Sequence, residues 1–130
     1  MPPDLGSSRT AGRPLPTAAT TGTVRDAVTA IDRGALGIVL ALDAEGRLAA
    51  TITDGDIRRA MLDGADLATP LQVVLDRKAA SPYATPVTAT PDTTDEAVLA
   101  LMLAHRVRHV PIVPAARRPI RLATLDQLTP

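Results

Sequence analysis

One pattern of secondary structure occurs twice in this chain of 130 residues, and the duplication restricts the possible folds more than any other feature. Apolar spacing and turn residues give each copy the order strand, helix, strand, strand, helix. The matching positions, about 70–72 residues apart, are Ala27 with Ala97, Ile38 with Val110, and Thr53 with Thr124. Since a unit of this size cannot bury a sufficient core alone, we expect the copies to pack together and form two related clefts.

The first copy predicts a short strand within residues 15–21, an amphipathic helix, two strands and a second helix. Thr23 and Asp26 have the spacing of a capping box, and apolar residues follow at intervals of one helical turn. Residues 37–42 and 48–52 are apolar runs of strand length on either side of a glycine-containing turn. The second helix begins after Thr53.

The second copy repeats this order after a predicted linker helix. Residues 87–90 predict a short strand, Thr93 or Thr94 caps a helix, and residues 109–113 and 120–123 predict two strands before a final helix. The linker helix has Leu71, Val74 and Leu75 at helical spacing, and the helix of the second copy has Ala97, Val98, Leu101 and Met102 on one face.

Polar residues are concentrated where the second strand of the first copy meets the second helix. Thr53, Asp54 and Asp56 open this helix, and Arg58 and Arg59 follow within one turn. A helix N-terminus attracts anions through its N–H groups and dipole, and two arginines can clamp a phosphate. The pattern indicates a site for a phosphorylated ligand. Two alternatives need no ligand, since Thr53 and Asp56 also have capping-box spacing and both arginines suit a solvated helix face.

Composition excludes several classes of function. Tyr83 is the only aromatic residue and the net charge is zero, so we expect no nucleic-acid partner. Cysteine is absent, which excludes disulfides and thiolate chemistry. No apolar run approaches the ~18–20 residues of a membrane span, and no signal peptide is visible. We therefore expect a cytoplasmic protein with no membrane partner.

No group of residues indicates catalysis, and we expect no catalytic residue, no required cofactor and no metal site. The sequence has neither a glycine-rich phosphate loop nor the signature of an activated nucleophile. Asp54 and Asp56 resemble the paired aspartates of glycosyltransferases, but the surrounding donor-binding domain is missing. His105 and His109 are four residues apart, but the second falls in a predicted strand rather than on the same helix.

A duplicated β-α-β-β-α unit with Thr-x-x-Asp at its second helix resembles a pair of cystathionine-β-synthase (CBS) domains. The resemblance covers residues 15–130 and implies an α+β fold of tandem β-α-β-β-α repeats, the CBS-domain pair or Bateman module. The residue pattern is similar to that of CBS pairs that precede sugar-phosphate nucleotidyltransferase domains. CBS pairs of sugar-phosphate isomerases also resemble the first copy. The residues that carry the resemblance are 37–43, 45–48 and 53–59 in the first copy and 106–113 and 124–126 in the second.

In this family the Thr-x-x-Asp of one copy faces the first strand and the start of the second strand of the other, with Thr near a phosphate and Asp near the ribose hydroxyls. The resemblance thus implies a first cleft with Thr53, Asp56, Val87, Thr88, Arg108, His109 and Val110. The weaker second cleft would contain Gly37, Ile38, Thr124 and Gln127. Because the neutral amide of Gln127 lacks the charge-assisted hydrogen bond of a carboxylate, we expect this second cleft to be weak or empty.

The resemblance implies a non-catalytic regulatory module that binds AMP, ADP, ATP or S-adenosylmethionine and forms a homodimer. One alternative is a structural dimerisation or docking module with degenerate clefts, which Gln127 favours. Another is the regulatory N-terminal part of a sugar-phosphate nucleotidyltransferase, with a C-terminal catalytic domain or a partner enzyme. We expect a disordered Pro/Gly/Ser/Thr-rich tail at 1–16, the first repeat with its linker helix at 17–80, and the second repeat, its final helix truncated, at 81–130.

Overall fold

The computed structural model describes residues 14–129, and residues 16–129 divide into two compact units, Pro16–Pro86 and 87–129. Both units mix helices with a small sheet, so the expected α+β class is confirmed. The predicted tail falls mainly on residues 1–13, which lie outside the described residues. The predicted repeat boundaries stay a prediction.

The first unit contains a three-stranded sheet in the order β1-β2-β3 and three helices. Strand β1 is parallel to β2, and β2 is antiparallel to β3. Because β2 lies in the centre of the sheet, four of its five residues are buried, as expected for a continuous apolar run. The elements are β1 (Thr17–Ala19), α1 (Val24–Gly34), β2 (Ile38–Leu42), β3 (Leu48–Thr53), α2 (Asp54–Leu62) and α3 (Leu71–Ala79).

Helix α1 packs against this sheet through the face that the apolar spacing predicted. Val24, Ala27 and Ile31 are buried, and the capping box between Thr23 and Asp26 is present. The opposite face of α1 is charged. Local sequence signals therefore determine both where this helix begins and which side it buries.

The second unit contains a two-stranded antiparallel sheet and two helices. Its core is formed mainly by Val98 and Met102 of the first helix and by Val110, Ile112 and Ala123 of the strands. The elements are α4 (Asp95–His105), β4 (His109–Ile112), β5 (Arg121–Thr124) and α5 (Leu125–Leu128).

The predicted strand at 87–90 is wrong, because only Ala89 bridges β4, at Ile112. The first unit shows the reason. There the N–H of Leu40 donates to the carbonyl of Pro16 at 2.7 Å and helps to hold β1. The residue of the second copy that corresponds to Leu40 is Pro111, which has no N–H to donate.

A constant separation of 71 residues relates the two copies, as the helix caps and strand starts show. Thr23 caps α1 and Thr94 caps α4. Ile38 is the first residue of β2 and His109 is the first residue of β4. Ile38 therefore corresponds to His109, and the predicted match with Val110 is wrong by one residue.

The predicted match of Ala27 with Ala97 is also wrong by one residue. Ala27 is buried in α1, and its counterpart at a separation of 71 residues is Val98, which is buried in α4. Ala97 is exposed, although it was predicted on the buried face. Identical residues at 27 and 97 therefore do not mark equivalent positions, because the buried face sets the register of the two helices.

Candidate functional site

The first candidate junction, residues 53–56, joins β3 directly to α2. Thr53 is the last residue of β3 and the N-cap of α2. Its N–H donates to Asp56 Oδ2 at 2.9 Å, and the N–H of Asp56 donates to Thr53 Oγ1 at 3.3 Å. The capping box that the sequence left open as an alternative is therefore present, and it fixes the direction of both side chains.

Asp56 also makes two ion pairs, of which the sequence analysis predicted neither. Lys78 Nζ lies 2.6 Å from Asp56 Oδ2, and Arg59 Nη2 lies 3.1 Å from Asp56 Oδ1. The Lys78 and Asp56 side chains are only 9% and 13% exposed. A signal was available in the sequence, because Lys78 follows Leu71 and Val74 on the apolar stripe of α3, where another aliphatic residue is expected.

The pKa of the Asp56 carboxyl is set by opposing effects. Burial raises this pKa, while the hydrogen bond and charge of Lys78, the N–H of Thr53 and the hydrogen bond of Arg59 lower it. The lowering effects are the larger, so the pKa lies below its ordinary value of 3.8 and the carboxylate is ionised at neutral pH.

Gly37 and Ile38, predicted for the second cleft, lie beside the first junction within their own unit. Ile38 pairs with Thr53 in the sheet, and the carbonyl of Gly37 accepts a hydrogen bond from the N–H of Asp54 at 3.1 Å. Gly37 has a φ of 74°, and a Cβ added there would meet Asp54 Oδ2 at 3.3 Å. Glycine therefore permits both the turn into β2 and the close approach of the helix start.

The second candidate junction, residues 124–127, joins β5 to α5 in the same way. The N–H of Thr124 donates to Gln127 Oε1 at 3.0 Å, so the amide serves the capping box as Asp56 does in the first copy. The N–H of Leu125 donates to the carbonyl of Arg108 at 2.9 Å. The exposed Arg108 guanidinium lies 3.6 Å from Asp126.

The other predicted site residues lie at or near the strands of the second unit. His109 begins β4 and is half-buried, whereas Val110 is fully buried in the core. Val87 and Thr88 are half-buried and precede Ala89, which bridges to β4. Val110 thus has a core role in addition to any predicted contact with a ligand.

Each unit places one strand start beside one junction. Residues 37–38 lie beside residues 53–56 in the first unit, and residues 108–109 lie beside residues 124–127 in the second. Each predicted cleft combines a junction from one unit with a strand start from the other. That combination stays a prediction.

The part of the chain that the structure describes contains neither a metal-binding group of side chains nor a membrane-spanning helix. Within residues 14–129, no group of three or more His, Cys, Asp or Glu side chains is placed to hold a metal ion. Over the same residues, no helix has the length and apolar character needed to cross a membrane.

The model of the CBS domain family matches this chain twice, at residues 11–63 and 82–128. The two matches coincide with the two copies of the repeat, and each includes one junction. Together they cover well over half of the sequence.

Similar proteins include a sugar-phosphate enzyme and two solved CBS structures. The arabinose 5-phosphate isomerase GutQ of Escherichia coli K12 is 39% identical over 57 residues, which is 44% of this chain and 18% of the isomerase. The chain therefore spans less than a fifth of the length of this curated relative.

The solved structures resemble the chain over most of its length. The CBS domain protein PAE2072 of Pyrobaculum aerophilum, complexed with AMP, is 20% identical with a TM-score of 0.74, over 88% of this chain and 83% of that chain. The CBS domain pair of protein MJ0100, in complex with 5′-methylthioadenosine and S-adenosylmethionine, is 19% identical with a TM-score of 0.73, over 92% of this chain and 91% of that chain. At these sequence identities, the similarity to the two solved structures shows a shared fold only.

Proposed function

Because this chain belongs to the CBS-domain family, we propose that it is a non-catalytic regulatory module that binds an adenosine nucleotide. The candidate ligands are AMP, ADP, ATP and S-adenosylmethionine. Two solved structures of similar fold support this range, since one contains AMP and the other contains 5′-methylthioadenosine and S-adenosylmethionine.

The observation that carries the proposal is the repetition of one junction geometry. In both copies a threonine ends a strand, caps a helix and is hydrogen-bonded to the side chain three residues later. In both copies the helix start also donates to the carbonyl just before the adjacent strand. We propose that Thr53 and Asp56 act with Val87, Thr88, Arg108, His109 and Val110 at one site, and that Gly37, Ile38, Thr124 and Gln127 form a weaker one.

Calorimetric titration of the 130-residue chain with AMP, ADP, ATP and S-adenosylmethionine tests this proposal. Arg108 is the better residue to change first, because its side chain is 69% exposed and its removal leaves no buried charge unpaired. Asp56 is a poor first choice, since its removal leaves the buried Lys78 unpaired. The matched control is Arg33→Ala, which removes an exposed arginine from the last turn of α1.

We expect at least one of the four ligands to bind and Arg108→Ala to weaken AMP binding about tenfold, as for one lost charge-assisted contact. Arg33→Ala should keep the wild-type affinity. The absence of binding by all four ligands would contradict the proposed function. Equal affinities of wild type and Arg108→Ala would contradict the role of Arg108.

A second candidate function, dimerisation, is supported by the outer face of α4. The buried faces of α1 and α4 correspond, but their exposed faces differ in character. On α4 the exposed positions include Ala97, Ala100, Leu103 and Ala104, and on α1 the corresponding positions are Asp26, Thr29, Asp32 and Arg33. Leu103 is 68% exposed, and an apolar outer face on a helix is typical of a contact surface.

We propose that this face of α4 pairs antiparallel with α4 of a second copy. Asp95 and Glu96 lie at its N-terminal end and Arg106 follows its C-terminal end, so an antiparallel pair brings opposite charges together. Light scattering after size-exclusion chromatography should show a dimer that Leu103→Glu converts to a monomer. Asp32→Lys, at the corresponding position of α1, should leave the dimer intact. A monomeric wild type would contradict this proposal.

We further propose that the module regulates a sugar-phosphate enzyme, either joined to it or separate. The identity with the isomerase GutQ supports this class of partner. The reading frame that follows the codon for Pro130 tests the joined arrangement. A frame that continues into a sugar-phosphate isomerase or nucleotidyltransferase domain is the expected result, and a different kind of domain would contradict it.

A further inference from the structure

Lys78 is unusual both in identity and in position. It is the only lysine among the 14 basic residues of the chain, the other 13 being arginines. Its side chain is only 9% exposed, and its Nζ lies 2.6 Å from Asp56 Oδ2 at the first junction. The single ammonium group on a side chain is thus placed beside the carboxylate that the family resemblance assigned to ribose.

Folding alone does not account for this lysine. It lies one helical turn beyond Val74 on the buried stripe of α3, where an aliphatic side chain would complete the core. A buried ion pair is no more stabilising than well-packed apolar residues of similar volume, because both ions lose their hydration. A role at the junction is therefore the better explanation for its presence.

The hydrogen bonds of Asp56 limit what its carboxylate can offer to a ribose. Oδ2 accepts from the N–H and the hydroxyl of Thr53 and from Lys78, while Oδ1 accepts from Arg59. A carboxylate has about four acceptor positions on its two oxygens. Oδ2 is therefore fully used, and the carboxylate can accept from one diol hydroxyl through Oδ1 but not from both hydroxyls at once.

The charge balance of the junction favours an anion. Lys78 and Arg59 both contact Asp56, so these three side chains carry one net positive charge, and Arg58 on the first turns of the same helix offsets the carboxylate of Asp54. The group lies at the N-terminus of α2, where the helix dipole adds further positive potential. Because Lys78 and Asp56 are largely buried, solvent screens their charges less than it would on the surface.

From these observations we infer that Lys78 makes the first junction selective for adenosine ligands of net negative charge over neutral or cationic ones. Lys78 is a specificity-determining residue in this assignment, and the inference rests on the proposed function. The ligand class is a phosphorylated adenosine, as opposed to a thioether or sulfonium adenosine.

Three adenosine compounds that differ at the 5′ position provide the test. At the 5′ position AMP carries a phosphate with about two negative charges at neutral pH, and 5′-methylthioadenosine is uncharged. S-adenosylmethionine carries a sulfonium, an ammonium and a carboxylate there, with a net charge of about +1. Calorimetry on the 130-residue chain at low salt should give the affinity order AMP, then 5′-methylthioadenosine, then S-adenosylmethionine. We expect AMP to bind about tenfold more tightly than 5′-methylthioadenosine, a size typical of one partly buried charge interaction.

Variants at position 78 separate charge from other effects. Lys78→Gln keeps a hydrogen-bond donor near Asp56 but removes the charge, and it should reduce the ratio of AMP to 5′-methylthioadenosine affinity by about tenfold. Lys78→Arg keeps the positive charge, so its ratio of AMP to 5′-methylthioadenosine affinity should equal that of the wild type. Arg77→Gln is the matched control, because it removes a positive charge from an exposed position on the same helix and should leave the ratio unchanged.

The outcomes distinguish this inference from the proposed function. An unchanged ratio in Lys78→Gln, or a wild type that binds S-adenosylmethionine most tightly, overturns the inference while adenosine binding stands. If none of the three compounds binds, the proposed function fails and the inference fails with it. If Lys78→Gln does not fold, the affinities of the wild type still test the inference. Nearly equal affinities of the wild type for AMP and 5′-methylthioadenosine would overturn it.

Discussion

Ala35 and Arg106 occupy the same position after the first helix of each copy, and both have left-handed backbone conformations, with φ of 55° and 56°. The N–H of Ala35 donates to the carbonyl of Ile31, and the N–H of Arg106 donates to the carbonyl of Met102. This is the usual way to end a helix, but the position is normally occupied by glycine. Both copies therefore use a side chain where a residue without a Cβ is favoured.

Replacing Ala35 with glycine should stabilise the protein. The left-handed conformation costs an L-residue roughly 1–2 kcal/mol, and the added freedom of glycine in the unfolded chain offsets about half of that gain. Ala35 is exposed, so no packing is lost. We expect Ala35→Gly to raise the free energy of unfolding by about 0.5–1 kcal/mol in urea denaturation.

The control for this prediction is Ala44→Gly. Ala44 is also exposed, but it is not among the residues with positive φ. This substitution should leave the free energy of unfolding unchanged or lower it slightly. Stabilisation of equal size in both variants would show that the left-handed conformation is not the cause.

Removing Asp56 should be among the most destabilising single changes in the first unit. Asp56→Ala breaks the capping box and leaves the ammonium of Lys78 buried without its partner. Loss of one member of a buried pair typically costs about 3–5 kcal/mol. Chemical denaturation followed by circular dichroism measures this cost.

Two further variants isolate the role of the ion pair. Asp56→Ala combined with Lys78→Met removes both charges and should recover most of the lost stability. Asp54→Ala removes an exposed carboxylate from the same turn and should cost less than about 1 kcal/mol. A cost for Asp56→Ala no larger than that for Asp54→Ala would contradict the arrangement described.

Substitution of Gly37 should strain the start of β2. Alanine at a φ of 74° costs roughly 1–2 kcal/mol, and its Cβ would lie 3.3 Å from Asp54 Oδ2. We expect Gly37→Ala to lower the thermal midpoint, as measured by differential scanning fluorimetry. Gly37→Asn should lower it less, because asparagine tolerates positive φ better than alanine does. A smaller loss in Gly37→Ala than in Gly37→Asn would show that strain is not the main effect.

The sequence predicted those parts of the fold that depend on neighbouring residues. Thr23 and Thr94 cap their helices where polar side chains precede apolar periods, and β2 and β3 form where apolar runs surround a turn. The strand expected at 87–90 failed for a reason that is not local. Its hydrogen-bond partner on β4 is Pro111, which lies more than twenty residues away and cannot donate.

The candidate site shows the same limit. The capping-box spacing of Thr53 and Asp56 was visible in the sequence, and the structure contains that hydrogen-bond pattern. The ion pair of Asp56 with Lys78 spans 22 residues and joins α2 to α3. No helical or strand periodicity encodes such a contact. The one sequence signal for it was a lysine, Lys78, on the otherwise apolar stripe of α3.

Acid should destabilise the protein in part through Asp56. Its pKa is lower in the folded chain than its ordinary value of 3.8, so its contribution to stability is present above that value and is lost as the pH falls through the lower folded pKa. In Asp56→Asn this part of the acid dependence disappears. We therefore expect the difference in unfolding free energy between wild type and Asp56→Asn to shrink as the pH is reduced from 5 towards 2. Denaturation curves at a series of pH values measure that difference.

Lys78→Gln provides the matched comparison for acid stability. It removes the largest of the effects that lower the pKa of Asp56 and leaves burial, which raises it. The carboxylate should then take up its proton at higher pH, so the loss of stability should begin at higher pH than in wild type. The carboxylates of Asp43 and Asp92 are the same in all three proteins and cancel in the comparison. Parallel stability profiles for wild type, Asp56→Asn and Lys78→Gln would show that Asp56 is not held ionised by Lys78.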